Sequence, residues 1–377
     1  MTHPARGYPF KELADGLRDA EARGVVKARR TAEAPELGLF TYTRSCVYDD
    51  GWDEFSLMAR GLVLDFKRQC VVATPFPKFF NVGERGEWIP EGAFDTYEKL
   101  DGSLIIIYYH DGSWRTITKG SFSSEQAKWA ADRLCEGRST VMLNKGTTYL
   151  AEAIYPENRI VVRYDKPQLV LLAAYDEDGS EIPLSELAEL ADKESDPFDR
   201  LAGLHHFEGI KDLLEHAETL SGDEEGYVIR FTDGYRLKVK GAEYRRLHAL
   251  IHNVTPLAMW GYMRDGRDMN ELRRDLPEEF WDDFDQIYAI LSRDLTFLNV
   301  EMAKILIDIQ DKTDKEVGLS LNDFPPEYRR IIFPMRKFST SSPKVNQLIY
   351  NHIRPTANIL NGYQPSYALN RVHEEGL

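Results

Sequence analysis

A lysine and an aspartate stand two positions apart at a predicted turn, in the segment Glu98-Lys99-Leu100-Asp101-Gly102-Ser103. The apolar run from Leu104 to Tyr109 follows at once and predicts a buried strand. A lone K-x-D-G segment is most often a solvated turn. A lysine amine in low-dielectric surroundings near other cations can, however, lose its proton and act as a nucleophile. Whether Lys99 can act as a nucleophile therefore depends on whether the rest of the chain supplies those cations.

The bulk composition excludes some classes of protein. The chain has 377 residues, enough for two domains, and its 42% hydrophobic and 29% charged residues are typical of a soluble globular protein. A formal net charge of -15 argues against a protein that coats nucleic acid, so a polyanion would need a local basic groove. Three widely spaced cysteines, Cys46, Cys70 and Cys135, indicate reduced thiols and a cytoplasmic location. We expect neither a signal peptide nor a membrane anchor.

Hydrophobic periodicity predicts an α+β fold with antiparallel sheets and flanking helices, followed by a smaller all-α domain. The pattern predicts a first helix from Lys11 to Ala32, many short strands that include Ile160 to Tyr164, and a hairpin at residues 226–240. After Glu243 the strand patterns stop and helical periodicity takes over. We therefore predict domains at residues 1–243 and 244–377, with Ser339 to Pro343 as a loop in the second.

Three clusters between the first strands and the middle of the chain contain isolated charges. An Arg60-Gly61 pair and the run Pro77-Lys78-Phe79-Phe80-Asn81 could clamp phosphate oxygens and stack on a base, although the two phenylalanines also fit a core. Lys119 ends a strand before a glycine, where an exposed turn lysine is an equal alternative. Glu152 lies inside an apolar strand, so it must be paired or near a metal; a salt bridge with Arg159 or Arg163 stays open.

A predicted hairpin supplies two further lysines. Glu224-Glu225-Gly226-Tyr227 opens the first strand, and Lys238 and Lys240 share one face of the second because strand side chains alternate. Two like charges on one face repel unless an anion such as a triphosphate lies between them, and both would lower the pKa of a nearby Lys99. An edge strand that uses lysines to prevent aggregation is the alternative.

The order of these motifs resembles the signature of the covalent nucleotidyltransferases, the ligases and mRNA-capping enzymes. The flanking segments Arg60-Gly61, Pro77 to Asn81, Thr118 to Ala127 and Pro156 to Val161 are similar to those of the ATP-dependent RNA ligase 1 family of bacteriophages. The resemblance covers roughly the first two-thirds of the chain. It implies a nucleotidyltransferase domain followed by a helical domain that recognises RNA.

The resemblance also implies a three-step reaction. Lys99 would attack the α-phosphate of ATP, the AMP would pass to an RNA 5′-phosphate, and a 3′-hydroxyl would displace it to seal the strand. Lys238 and Lys240 would hold the phosphates with Arg60, Lys78 and Lys119 around them, and Glu225 would assist catalysis. Phe80, Glu98, Gly102, Glu152 and Gly226 would complete the nucleotide pocket, with Gly226 allowing close approach. Asp101, Glu152 and Glu225 would surround Mg²⁺ or Mn²⁺.

The expected partner is RNA with 3′-hydroxyl and 5′-phosphate ends, such as a nicked tRNA under repair, and the expected protein is a monomer without membrane contact. A DNA ligase or capping enzyme is an alternative, but both append a β-barrel where this chain continues as helices. A non-catalytic RNA-binding protein with a nucleotide pocket is another, although binding alone does not need Lys99. The second domain could grip RNA, or present solvated charges, through Arg245, Arg246, Arg329, Arg330, Arg336 and Lys337.

Overall fold

A computed structural model describes residues 2–86, 89–135, 138–338, 342–366, 369, 370 and 373. The chain divides into two compact units, Met1–Arg246 and Leu247–Gly376. The first unit combines antiparallel sheets with helices, which confirms the predicted mixture of α and β structure with antiparallel sheets.

The first unit begins with a helix that packs on a four-stranded antiparallel sheet of order β1-β2-β3-β4. The predicted helix from Lys11 to Ala32 is too long, because the chain turns at Gly24 with a left-handed φ of 78° and then enters a strand. Glycine adopts that conformation without a steric penalty. The elements of this part are α1 (Phe10–Ala22), β1 (Val26–Thr31), β2 (Ala34–Tyr42), α2 (Arg44–Tyr48), α3 (Glu54–Met58), β3 (Arg60–Asp65) and β4 (Cys70–Ala73).

Two further sheets hold the K-x-D-G segment between them. One sheet has the order β11-β10-β9-β7-β8 with β12 beside β10, and the other has the order β13-β6-β14-β15-β5. Neighbouring strands are antiparallel except for the short pairs β10–β12 and β15–β5. The elements are β5 (Phe80–Asn81), β6 (Phe94–Lys99), β7 (Ser103–His110), β8 (Ser113–Thr118), α4 (Glu125–Cys135), β9 (Thr148–Ile154), β10 (Gln168–Tyr175), β11 (Glu181–Ile182), β12 (Arg200–Leu201), β13 (Leu204–His205), α5 (Ile210–Ala217), β14 (Gly226–Phe231) and β15 (Arg236–Lys240).

Strand β7 is apolar on both faces because it separates two cores. Ile105 and Ile107 pack with Ala130 and Leu134 of α4, whereas Ile106 faces the core shared with the first sheet. Burial on both sides explains the continuous apolar run that the sequence contains after the K-x-D-G segment. The strand therefore anchors that segment firmly at its start.

One predicted strand is wrong. Residues 160–164 form an irregular segment after a short 3-10 helix, Pro156–Asn158. The backbone amides of Val161 and Val162 donate hydrogen bonds to the carboxylate of Asp101 instead of to a neighbouring strand. A buried tertiary hydrogen bond has replaced the sheet pairing that the β-branched sequence favoured.

The second unit is built from helices in the part that the structure describes, apart from an isolated bridge between Thr356 and Ile359. The longest helix packs against its neighbours through a core that includes Leu298, Met302 and Ile332. None of the described helices has the length and apolarity needed to cross a bilayer. The predicted loop at Ser339 to Ser341 lies outside the described residues. The helices are α6 (Ala242–His252), which spans the boundary between the units, α7 (Pro256–Arg264), α8 (Met269–Asp275), α9 (Trp281–Asp308), α10 (Asp314–Leu319), α11 (Arg329–Lys337) and α12 (Pro343–His352).

Candidate active site

Three lysines lie on one face of the second sheet of the first unit. Gly226 of β14 pairs with Lys99 of β6 on one side and with Lys240 of β15 on the other, so the three residues form one row across the sheet. Lys238 lies two residues along β15 and therefore points to the same face. The opposite face packs on α5 through residues such as Tyr227 and Ile229. The sequence-predicted lysines are thus brought together.

Gly226 is required by the geometry of this row. It has a φ of 140°, and a Cβ atom at this position would lie 2.0 Å from the carbonyl oxygen of Val239. Only glycine fits there. The requirement comes from the neighbouring strand, so the close approach to a nucleotide that the sequence suggested is not needed to explain this residue.

The Glu225 carboxylate bridges two of the lysines. Its Oε2 accepts a hydrogen bond of 2.7 Å from Lys99 Nζ, and its Oε1 lies 3.0 Å from Lys240 Nζ. The side chain of Glu225 is only 3% exposed, so this pairing takes place away from bulk water. Burial works to raise the pKa of Glu225, but Lys99 and Lys240 outweigh it and hold the pKa below its usual value.

Among the three lysines on this sheet face, the pKa is lowered at Lys238 and raised at Lys99. Burial works to lower the pKa of Lys99, but the carboxylates of Glu225, Glu152 and Asp101 raise it above the usual value. Burial lowers the pKa of Lys238 to about 6, and the positive charges of Lys78, Lys99 and Lys240 add to the effect. The prediction that Lys238 and Lys240 lower the pKa of Lys99 is therefore wrong, because it left out the charge of the three carboxylates.

Asp101 is held entirely by the protein. Its Oδ2 accepts hydrogen bonds of 2.7 Å from the amides of Val161 and Val162, and its Oδ1 accepts one of 2.7 Å from the Tyr244 hydroxyl. Burial, and then repulsion from Glu225, raise its pKa to about 6. These hydrogen bonds explain the buried carboxylate without a metal, and the metal role of Asp101 stays a prediction.

Two other predicted nucleotide contacts have structural explanations. A Cβ at Gly102 would lie 2.5 Å from the carbonyl oxygen of Ala153 in β9, so this glycine allows close packing of the turn. Glu98 precedes Lys99 in β6 and points to the opposite face. Its carboxylate binds the Arg200 guanidinium and accepts a 2.6 Å hydrogen bond from the amide of Gly203.

A second group of cations surrounds the end of β2. The Nζ of Lys78 lies 5.6 Å from the ring centre of Tyr42, 5.2 Å from that of Trp52 and 4.9 Å from that of Phe80. Lys119 Nζ is 5.9 Å from the Tyr42 ring. The rings of Tyr42, Trp52 and Phe80 contact one another edge to face. Cations over aromatic faces are stabilised by electrostatic attraction to the ring.

Arg60 joins this group. Its guanidinium carbon lies 5.3 Å from the Phe79 ring, and its Nη1 is buried without a hydrogen-bond partner among the described residues. Strand β5 pairs with β15, so Asn81, next to Phe80, lies beside Lys238. The positive charges of Arg60 and Lys78 also act on Lys238, so these cations lie near the lysines on the sheet.

Comparison with known proteins agrees with this geometry. Residues 58–244, which contain the lysine row and Glu225, match a family model described as RNA ligase. The segment that carries the candidate site is therefore similar to RNA ligases. The chain is 30% identical over 232 residues to "Putative bifunctional polynucleotide kinase/RNA ligase" of Autographa californica nuclear polyhedrosis virus, which covers 53% of this chain and 32% of that protein.

Two further relatives extend the comparison. "RNA ligase" of Rhodothermus phage RM378 is 22% identical, over 77% of this chain and 86% of the phage protein. The solved structure "Archaeal ATP-dependent RNA ligase - form 1" has a TM-score of 0.51 and 16% identity, over 76% of this chain and 83% of that chain. At that level of identity the likeness concerns the fold alone.

Three aromatic residues of the candidate site were missed by sequence reasoning. Tyr42 and Trp52 complete the surroundings of Lys78, and Tyr244 binds Asp101 while Lys240 Nζ lies 4.9 Å from its ring. Burial works to raise the pKa of Tyr42, but Lys119, Arg60 and Lys78 lower it. An aromatic residue at a strand end is typical of a core, so only the spacing of Tyr244 four residues after Lys240 offered a signal.

Proposed function

We propose that the protein is an ATP-dependent RNA ligase that joins 3′-hydroxyl and 5′-phosphate ends. The observation that carries the proposal is the row of Lys99, Gly226 and Lys240, with Lys238 on the same face of the sheet. In this row Lys99, the proposed nucleophile, donates a hydrogen bond to Glu225. The cations Arg60, Lys78 and Lys119 near this row suit a triphosphate. In this proposal the first unit is a nucleotidyltransferase domain and the helical second unit recognises RNA.

The reaction follows from the position of the Lys99 amine. Its nitrogen forms a bond to the α-phosphorus of ATP while the bond to the pyrophosphate oxygen breaks. An oxygen of the RNA 5′-phosphate then takes the adenylyl group, which frees the amine. Finally the 3′-hydroxyl attacks that 5′-phosphate and AMP leaves. Each step is an in-line attack at phosphorus, so positioning and charge neutralisation dominate the catalysis.

The residues divide this work. Lys238 and Lys240 hold phosphate oxygens in line with Lys99, and Arg60, Lys78 and Lys119 hold the leaving pyrophosphate. Glu225 orients the Lys99 amine through the 2.7 Å hydrogen bond. Asp101 positions the turn that carries Lys99 and does not contact the substrate.

Glu152 and Glu225 are the carboxylates that would hold Mg²⁺ or Mn²⁺, because both act on the charge of Lys99. Hard divalent cations prefer such oxygen ligands and keep several waters. Bound there, the metal would supply positive charge that lowers the pKa of the Lys99 amine and neutralises phosphate oxygens.

The test is incubation with radiolabelled ATP and magnesium followed by denaturing electrophoresis. Wild-type protein is expected to retain label, and Lys99→Ala to retain none. The mutant should still join RNA that already carries a 5′-adenylate. Lys145→Ala, at an exposed position near Tyr109, is the matched control and should label normally. A labelled Lys99→Ala protein would refute the assignment of the nucleophile.

A further inference from the structure

A basic concavity of the first unit lies apart from the lysine row. It encloses about 500 Å³, and its charged lining consists of Arg133, Arg138, Lys166 and Arg200 with Glu194 and Asp199. We call it the Arg133–Arg200 groove. Among the described lining residues there are four cations and two carboxylates, and Glu98 outside the lining pairs with Arg200, in a chain whose formal net charge is -15. A local positive site in an acidic protein points to an anionic ligand.

The arginines of the groove are fixed by the fold. Asp199 accepts hydrogen bonds of 2.7 Å from Arg133 and 2.6 Å from Arg138. Arg138 also donates to the carbonyl oxygen of Pro197, and its side chain is only 7% exposed. The Nε of Arg133 is buried and has no hydrogen-bond partner among the described residues. One carboxylate shared by two guanidinium groups leaves both charge and donors unsatisfied, and arginine forks of this kind suit phosphate oxygens.

One end of the groove contacts strand β6. Arg200 Nε donates to Gln168 at 2.9 Å, and the same guanidinium binds Glu98, the residue before Lys99. Glu98 and Lys99 point to opposite faces of β6, so the groove lies on the other side of this strand from the Lys99 amine. A ligand in the groove would therefore not occupy the place of a nucleotide bound at Lys99.

We propose that the Arg133–Arg200 groove binds the phosphodiester backbone of the RNA strand whose 5′-end meets Lys99. This inference rests on the proposed function and names where its second substrate binds. Lys166 is exposed at the rim of the groove, where its ammonium group can contact a bound strand.

The experiment measures binding of a 5′-phosphorylated single-stranded RNA to full-length protein by fluorescence anisotropy at two salt concentrations. Lys166→Glu is expected to weaken binding roughly tenfold and to reduce the salt slope by about one. Arg133→Ala is expected to weaken it by a similar factor, with a thermal melt to check that the variant folds. Lys211→Glu makes the same charge change at a side chain that is 90% exposed on α5, outside the groove, and should bind RNA like the wild type.

Labelling with ATP in the absence of RNA separates the possible sources of phosphate. Labelling of Lys166→Glu within about twofold of wild type, together with the lost RNA affinity, would support the proposal. Reduced labelling with normal RNA affinity would assign the groove to ATP and overturn it. Unchanged RNA binding in both groove variants, or an equal loss in Lys211→Glu, would also overturn it. If the wild type binds RNA through the groove but takes no label, the ligase function fails while the groove stands.

Discussion

The hydroxyl of Tyr244 donates a 2.7 Å hydrogen bond to the carboxylate of Asp101, which lies 143 positions earlier in the chain. Asp101 belongs to the turn that carries Lys99, and Tyr244 belongs to the helix that follows Lys240. The bond therefore ties together the two ends of the sequence that form the lysine row. It is buried, so nothing in the solvent can replace it.

Tyr244→Phe is expected to lower the free energy of unfolding by about 1–2 kcal/mol, because Asp101 loses one of its three donors. Labelling with ATP should fall roughly tenfold, since the turn beside Lys99 is held less firmly. Chemical denaturation and initial labelling rates measure the two effects. Tyr48→Phe, at a side chain that is 73% exposed, is the control and should change neither. Normal labelling by Tyr244→Phe would show that this bond does not position Lys99.

Lys238 is expected to take up a proton when ATP binds. Its pKa of about 6 leaves the free amine mostly neutral above pH 7, and a bound triphosphate would restore the charged form. ATP affinity should therefore weaken by up to about tenfold per pH unit above pH 6. Calorimetry in buffers of different ionisation enthalpy measures the uptake, expected to approach one proton. Lys238→Arg stays charged, so its binding should take up none; equal uptake by this variant would place the proton elsewhere.

Gly226→Ala is expected to destabilise the first unit by about 3 kcal/mol, because a methyl group would clash with the Val239 carbonyl at a left-handed φ. The strands that carry Lys99 and Lys240 would move apart, and labelling with ATP would be lost. Gly261→Ala is the matched control, since a Cβ in the middle of α7 would meet nothing within 4 Å. Alanine there should be neutral or slightly stabilising. A Gly226→Ala protein with wild-type stability in denaturant would contradict the strain argument.

Removal of divalent metal by a chelator is expected to abolish labelling of Lys99, and added Mg²⁺ or Mn²⁺ to restore it. Glu152→Gln should raise the magnesium concentration needed for half-maximal labelling roughly tenfold, because one oxygen ligand loses its charge. Glu186→Gln, at an exposed position of the first unit, should leave the magnesium requirement unchanged. Labelling that persists in the chelator would remove the metal from the mechanism.

A fragment of residues 1–252, which keeps the whole of α6, is expected to retain labelling of Lys99 because the nucleotide pocket lies within Met1–Arg246. It should bind a nicked tRNA loop at least about tenfold more weakly than the full chain, since the helical unit is missing. Sealing of nicked tRNA at matched salt is the measurement. Equal sealing by both proteins would show that the helices do not read the substrate.

Much of the lysine row was predictable from sequence because strand alternation and a short turn fix it locally. The hairpin of Lys238 and Lys240, and Lys99 at the end of a strand, follow from period and turn chemistry alone. The protonation state of Lys99 could not be predicted from the sequence, because its pKa depends on Glu225, which lies 126 positions away. Charge balance at a buried site is a property of tertiary contacts.

The same limit explains the wrong strand at Ile160 to Tyr164. Its β-branched residues favour a strand, but the buried Asp101 carboxylate needs donors and takes the amides of Val161 and Val162. Tyr42 and Trp52 were missed for a related reason. Aromatic rings that surround Lys78 look in sequence like rings that fill a core.

The bridge that Glu225 makes between Lys99 and Lys240 has a chemical consequence for the resting protein. Aldehydes, cyanate and other electrophiles of the cell react with neutral amines, and an ammonium group has no lone pair to offer them. Because the Glu225 carboxylate favours the ammonium form of Lys99, this side chain is protected from such reagents. In the proposed reaction, Lys99 loses its proton and becomes nucleophilic only when a bound ligand changes the charge around it. The protein would therefore discriminate against wrong electrophiles before any covalent bond forms.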